Sequence, residues 1–196
     1  MFSVSYAIGF FVIVVIVAFL DEQVERKKGK TDYGWAKYLD CWRPKNPNSF
    51  IPKIYSIIME GKELTGYHIA LFSLVFIVLH VPFFTGVSWD LIRELETLSM
   101  YFMVMLFEDF LYFVLNPDFG AKKFKPQYIP WHKNWIGPIP TDYPVGIGVS
   151  LGFALLAAIF WDINILGGWG VTLGIFIALT LLSILVSEIM RGRASA

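Results

Sequence analysis

The chain has 196 residues, 56% of them hydrophobic, 17% aromatic and only 16% charged, with a formal net charge of zero. A soluble domain carries roughly a quarter charged residues and a nucleic-acid binder a basic excess, so the composition argues against both. A single cysteine, Cys41, leaves no intrachain disulfide and no cysteine metal cluster, and beside Trp42 it reads as an inert thiol.

The first apolar run is Phe2 to Leu20, close to the roughly 20 residues that cross a bilayer core. It has no basic leader and no small-residue cleavage site before Asp21, so it reads as an uncleaved anchor. Arg26, Lys27, Lys28 and Lys30 follow directly and place its N-terminus outside. Residues 21–63 are polar, mixed in charge and expected to be a cytoplasmic juxtamembrane segment. Asp32-Tyr33-Gly34-Trp35 and Cys41-Trp42-Arg43-Pro44 punctuate it with aromatics, Gly and Pro, and Pro44, Pro47 and Asn48 read as turn. Phe50 to Met59 is too short to span and reads as an interfacial helix or a lead-in to the next span.

Residues 64–196 read as a four-helix transmembrane domain. Its first span, about Thr65 to Val87, contains His68 and His80 and leaves through the short acidic stretch Gly86 to Glu96. The next, Thr97 to Leu115, is stopped by Asn116-Pro117, because the residue before proline is pushed out of the α region. Residues 116–143 hold five prolines among Phe, Tyr, Trp and Lys, too many for a long helix. With no soluble core to join, these aromatics are expected at the membrane surface. The last spans are about Val145 to Phe160 and Gly168 to Met190, joined by the turn Trp161 to Gly167. Gly148 and Gly152, and Gly170 and Gly174, have the spacing that lets helix backbones approach; glycine merely tolerated in a membrane helix explains them equally well.

Counting basic residues tests the topology. Nine lie in 21–63, four in 116–143 and two at the C-terminal end, against Arg93 alone in the remaining loop. An all-α polytopic protein of five transmembrane helices, N-terminus outside and C-terminus cytoplasmic, sorts them to one side as the positive-inside rule requires. A prokaryotic plasma membrane is the expected location.

Glu108 and Asp109 stand side by side within the third span. Charge inside a bilayer is costly and usually marks function. Asp109, Tyr112 and Asn116 share one helix face by their i, i+3, i+7 spacing, and Glu108 lies about 100° away. At about 1.5 Å per residue, His68 falls near the level of Asp109 and Tyr112, and His80 does not. If the 116–143 loop folds back, His132 reaches the carboxylates, within about 8 Å of one of them when a single atom bridges at ordinary ligand or hydrogen-bond lengths.

The leading expectation is an intramembrane enzyme acting on a lipid or other amphiphile from the cytoplasmic side. Glu108, Asp109 and His132 would do acid–base work, because adjacent carboxylates in low dielectric resist ionising together. Tyr112 and Asn116 would support them, and Lys122, Lys123 and Lys125 would hold an anionic headgroup. Glu108, Asp109, His132 and His68 also suit a divalent metal such as Zn, Mn or Fe, although no HExxH or ExxH motif is present. In the competing structural reading, the acids bond a neighbouring helix or pair with loop Lys and Arg, His68 bonds Tyr67 or backbone, His80 bonds the next helix, and Glu188 snorkels to the interface. Two further functions stay open: a non-catalytic subunit docked to other membrane proteins, and a proton or ion conductor, weakened by few polar groups in the outer half. Membrane lipid is the expected partner and nucleic acid is not. With no Walker motif and no Ser-His-Asp order, nucleotide hydrolysis and serine-hydrolase chemistry are disfavoured.

Overall fold

A computed structural model describes residues 2–27 and 34–194. Lys28, Lys30, Asp32 and Tyr33, which figure in the basic cluster and first turn above, lie outside the described residues. The apolar runs form helices α1 (Val4–Glu25), α3 (Gly66–Phe84), α4 (Leu91–Leu115), α5 (Asp142–Phe160) and α6 (Asn164–Ala194), with a short α2 (Phe50–Ile58) between the first two. Among the described residues, these five long helices are apolar and long enough to cross a membrane. The short α2 matches the apolar stretch too short to span, and none of its residues is buried.

Helix starts follow side-chain capping. Ser3 accepts from the Tyr6 N–H, Thr65 from His68 and Asp90 from Arg93, each satisfying a donor that the first turn leaves without an intrahelical partner. The cap at Asp90 starts α4 well before the expected Thr97. Helix α1 also runs past the expected Leu20 to Glu25, and α5 begins at Asp142 instead of Val145. Charged residues at a helix end read as an exit from the membrane; here they stay helical and several are buried.

Helix α4 is central and packs against α1, α3, α5 and α6. Its Met100, Met103, Val104, Phe107 and Leu111 meet Phe10, Phe11 and Val14 of α1, Val75 and Leu79 of α3, and Phe176 of α6. Phe176 sits edge-on to both Phe11 and Phe107, at 5.5 and 5.2 Å between centroids, the geometry aromatic quadrupoles favour. The buried face of α1 runs Ala7, Phe10, Phe11, Val14, Val17, Ala18 and then Asp21, Glu22 and Glu25. Its last turn therefore turns acids, not aliphatics, toward α4.

The far end of α4 is tied down by α6. Arg191 donates to the carbonyls of Val114 and Asn116, both at 2.7 Å, and Ser187 to Val114 at 2.8 Å, occupying carbonyls that a helix C-terminus leaves open. Gly120 follows at φ +70°, and a Cβ there would overlap the Arg191 guanidinium, so only glycine fits the turn. The loop beyond packs on the last turns of α4. Phe119 and Ile129 are buried on Tyr112 and Phe113, with Phe124, Trp131 and Trp135 around them, and a two-residue hairpin pairs Trp135–Ile136 with Ile139–Pro140. The expectation that its aromatics had no core to join is corrected: the exposed end of α4 supplies one. The spaced glycines Gly148, Gly152, Gly170 and Gly174 meet nothing within 4 Å of an added Cβ, so they mediate no close helix contact within the chain.

Candidate functional site

Four helix ends and the folded loop enclose a cavity of about 620 Å³. Its lining is graded along α3, α4 and α5. Polar lining residues include His68 in the first turn of α3, Glu108 and Asp109 toward the end of α4, and Asp142 and Tyr143 at the start of α5, with Asp21 and Glu25 in the last turns of α1 beside them. One or two turns deeper come Leu71 and Phe72 on α3, Phe102 and Met105 on α4, and Val145 and Val149 on α5. The cavity thus has one polar end and one apolar end.

The two acids of α4 part company, as their 100° separation on a helix requires. Asp109 faces the loop and α5. Tyr143 donates a hydrogen bond to it, and the His132 Nε2 stands 3.5 Å from its Oδ2. That separation suits an ion pair and is long for a hydrogen bond. The other ring nitrogen, Nδ1, is 3.0 Å from Asp142 Oδ2, which also receives the Lys62 ammonium at 2.9 Å. Lys62, Asp142, His132, Asp109 and Tyr143 form one connected chain. The His132 side chain is only 1% exposed, whereas those of Asp109 and Asp142 are 32% and 27% exposed, so the two carboxylates are the members open to the cavity. Burial alone would lower the His132 pKa, but the charge of Asp109 and the contact with Asp142 outweigh it and raise the value above the usual 6.5. His132 is therefore an imidazole that two carboxylates bias toward its protonated form.

Glu108 faces α1. It is 3% exposed, its Oε1 has no hydrogen-bond partner, and the carboxyl groups of Asp21, Asp109 and Glu25 act on it. Asp21 accepts from the Tyr67 hydroxyl at 2.5 Å, and Glu25 accepts from the Ala36 N–H. His68 is buried beside them, its Nδ1 2.8 Å from Thr65 Oγ1 and its Nε2 3.4 Å from Glu25 Oε1. The Trp35 ring stacks on it at 3.9 Å, and the Lys62 ammonium lies 4.8 Å from the Trp35 ring centre, within cation–π reach. Trp35 and Ala36 hold φ values of 50° and 53°, a left-handed conformation that costs non-glycine residues about 1–3 kcal/mol each and clusters at functional sites.

His132, Asp109, Glu108, His68 and Tyr112 all line the cavity, in two subsets instead of one constellation. Asn116 does not line it. Fully buried, it is the C-cap of α4, and its Oδ1 accepts from the Asp118 N–H at 2.9 Å. Lys122, Lys123 and Lys125 do not line it either: Lys122 pairs with Glu188 at 2.8 Å, Lys123 donates to the Asp118 carbonyl, and Lys125 is exposed. The charges expected to hold a headgroup are thus outside the cavity. His80 bonds Glu94 of α4 at 3.1 Å, a helix-to-helix contact. The Cys41 sulfur faces the Arg43 guanidinium at 3.2 Å and lies outside the cavity lining. Among the described residues, no three His, Cys, Asp or Glu side chains converge to hold a metal ion, so the donor set lends the metal reading no support.

Sequence reasoning missed Asp21, Glu25, Trp35, Lys62, Asp142 and Tyr143. Asp142-Tyr143 carried a usable signal, an acid and a phenol at the lip of a span. Asp21 and Glu25 had one in their i, i+4 spacing on a helix read as ending too soon. No protein-family model, no curated protein and no solved structure matches this chain.

Proposed function

We propose that the chain is an integral membrane enzyme that takes an amphiphilic molecule into this cavity and moves a proton at its polar group. The observation that carries the reading is the shared gradient of the lining, polar at one end and apolar one or two turns deeper on α3, α4 and α5. A molecule with a polar head and an alkyl body matches it, and the volume lies in the range of small-molecule sites, about 300–1,000 Å³. Asp109 is open to such a head, Tyr143 orients it, and His132 stands behind it carrying a proton that Asp142 and Lys62 hold in register. An acid and a base within reach of one bound group are the requirement for general acid–base chemistry.

The polar end lies beside the two segments, 21–63 and 116–143, that hold thirteen of the sixteen basic residues. The positive-inside rule then puts the cavity mouth on the cytoplasmic side. In the far half the polar groups pair with one another: Ser99 with Ser150, and His80 with Glu94. They offer no continuation of the cavity, which disfavours the conductor reading.

The test is turnover of a total membrane lipid extract, followed by mass spectrometry, for the wild type and His132→Gln. The wild type converts a lipid species, and the variant loses about 10²–10⁴-fold in rate, the usual contribution of a positioned acid–base group, while it melts as a folded protein. Equal conversion by both, or no changed species with the wild type, would sink the proposal.

A further inference from the structure

The cavity is oppositely equipped on its two sides. Six carboxyl groups line it, those of Asp21, Glu25, Glu60, Glu108, Asp109 and Asp142, against one lysine, Lys62, and two histidines. On the α5 side, Lys62 and His132 are spent on Asp142 and Asp109. On the α1 side, the contacts to Asp21 and Glu25 among the described residues are a phenol, the amide N–H groups of Trp35 and Ala36, and His68 Nε2 at 3.4 Å, an imidazole that also meets Thr65. No Lys or Arg among the described residues reaches ion-pair distance of Asp21, Glu25 or Glu108.

Glu108 adds an independent observation. Its side chain is 3% exposed, it lines the cavity, and its Oε1 has no partner. A buried polar atom without a partner costs about 1–3 kcal/mol, and a buried charge is normally paired. Such a group at a cavity wall marks the place where a ligand completes the pairing. The missing partner is a cation or a hydrogen-bond donor.

The rest of the lining states what that cation is attached to. Phe72, Tyr101 and Phe102 line the deeper part of the same cavity, where an alkyl chain attached to that cation loses its contact with water. The lysines that suit an anionic headgroup lie elsewhere, Lys122 on Glu188 and Lys123 on the Asp118 carbonyl.

We infer that the ligand of the cavity is a cationic amphiphile, an alkyl chain whose polar head carries an ammonium group received between Asp21, Glu25 and Glu108, with the rest of that head toward Asp109. The inference rests on the proposed amphiphile cavity and specifies its substrate class. The ammonium stands among the three carboxyl groups and neutralises the acidic side, and the chain runs toward Phe102, Met105 and Val149. An anionic head would meet three carboxyl groups with no Lys or Arg among them.

The experiment uses the purified full chain in maltoside micelles. Dodecylamine, dodecanol and dodecyl sulfate are titrated at matched mole fractions, with sodium and potassium chloride as separate arms. Binding is read from the rise in melting temperature, which reports ligand affinity for the folded state. Dodecylamine is expected to bind at least tenfold more tightly than dodecanol, dodecyl sulfate to bind least, and Glu108→Gln to erase the preference for dodecylamine over dodecanol. Dodecanol or dodecyl sulfate binding as tightly as dodecylamine would overturn the cationic assignment and leave the amphiphile cavity standing. Absence of binding by all three chains would remove the cavity reading as well. Sodium or potassium alone giving the full Glu108-dependent shift would overturn the ammonium in favour of an inorganic cation. A preference that survives in Glu108→Gln would overturn the assigned residue. Should that variant not fold, the ranking of the three probes on the wild type decides.

Discussion

The two ends of the helix bundle handle buried polar groups in opposite ways. At the far end, Ser99 and Ser150 donate to each other's carbonyls at 2.7 and 2.8 Å, and the Trp169 indole donates to Ser150 at 3.0 Å. Glu94 is shared by His80 at 3.1 Å and Trp89 at 2.9 Å. Every group named there has a partner on another helix or turn. At the near end, acids outnumber their cationic partners, and Glu108, which lines the cavity, keeps a buried oxygen without a partner. Polar groups that satisfy one another join helices; groups left unsatisfied around a cavity await something else. Charge inside a membrane domain is therefore read by its pairing more than by its presence.

Paired substitutions put this contrast to the test with the largest expected effect on stability. Ser150→Val removes the three hydrogen bonds of the Ser150 hydroxyl at the far end and is expected to cost about 1–3 kcal/mol, since an interhelical hydrogen bond in a bilayer contributes about 0.6–1.7 kcal/mol. Glu108→Gln replaces a buried carboxyl whose Oε1 has no partner and is expected to leave stability unchanged or raise it. Denaturation of both variants in one detergent checks the pair. A larger loss on Glu108→Gln than on Ser150→Val would reverse the assignment of scaffold and site.

A second effect, smaller and confined to the near end, is dependence on pH. The pKa of His132 is raised on folding from 6.5. A group whose folded value is raised contributes stability that is full below its unfolded pKa and lost as pH rises through the folded one. The gap in melting temperature between the wild type and His132→Gln is therefore expected to be widest near pH 6 and to close as pH climbs above about 6.5 through the folded value. A gap that widens with pH would mean that His132 is not the protonated member.

The smallest effect is expected outside both ends. Lys122 is 85% exposed and pairs with Glu188, a solvent-screened contact of the kind that rarely contributes measurably. Lys122→Ala is expected to leave melting temperature and dodecylamine binding unchanged. Loss of binding in this variant would return the headgroup to the lysine loop, where the sequence first placed it.

The chain itself determined what depends on neighbours along it. Five apolar runs set five long helices, because every backbone group in an apolar medium must bond within its own segment. Asn116-Pro117 ended α4 at Leu115, and the adjacent pair Glu108-Asp109 had to point about 100° apart on any helix. The tie between His132 and Asp109 was also within reach, since the loop starts one helical turn beyond Tyr112 and closing a short loop costs little. Tertiary structure decided the rest. Helix α1 is apolar nearly all round, so no stripe in the sequence told which face would meet α4, and Asp21 and Glu25 read as an exit when they are a buried wall. Lys62 and Asp142 are 80 residues apart in the chain and 2.9 Å apart in the fold. Which acid gained a cation and which was left facing a cavity depended on helix register and tilt, and those are set by packing between helices, to which a local sequence pattern is blind.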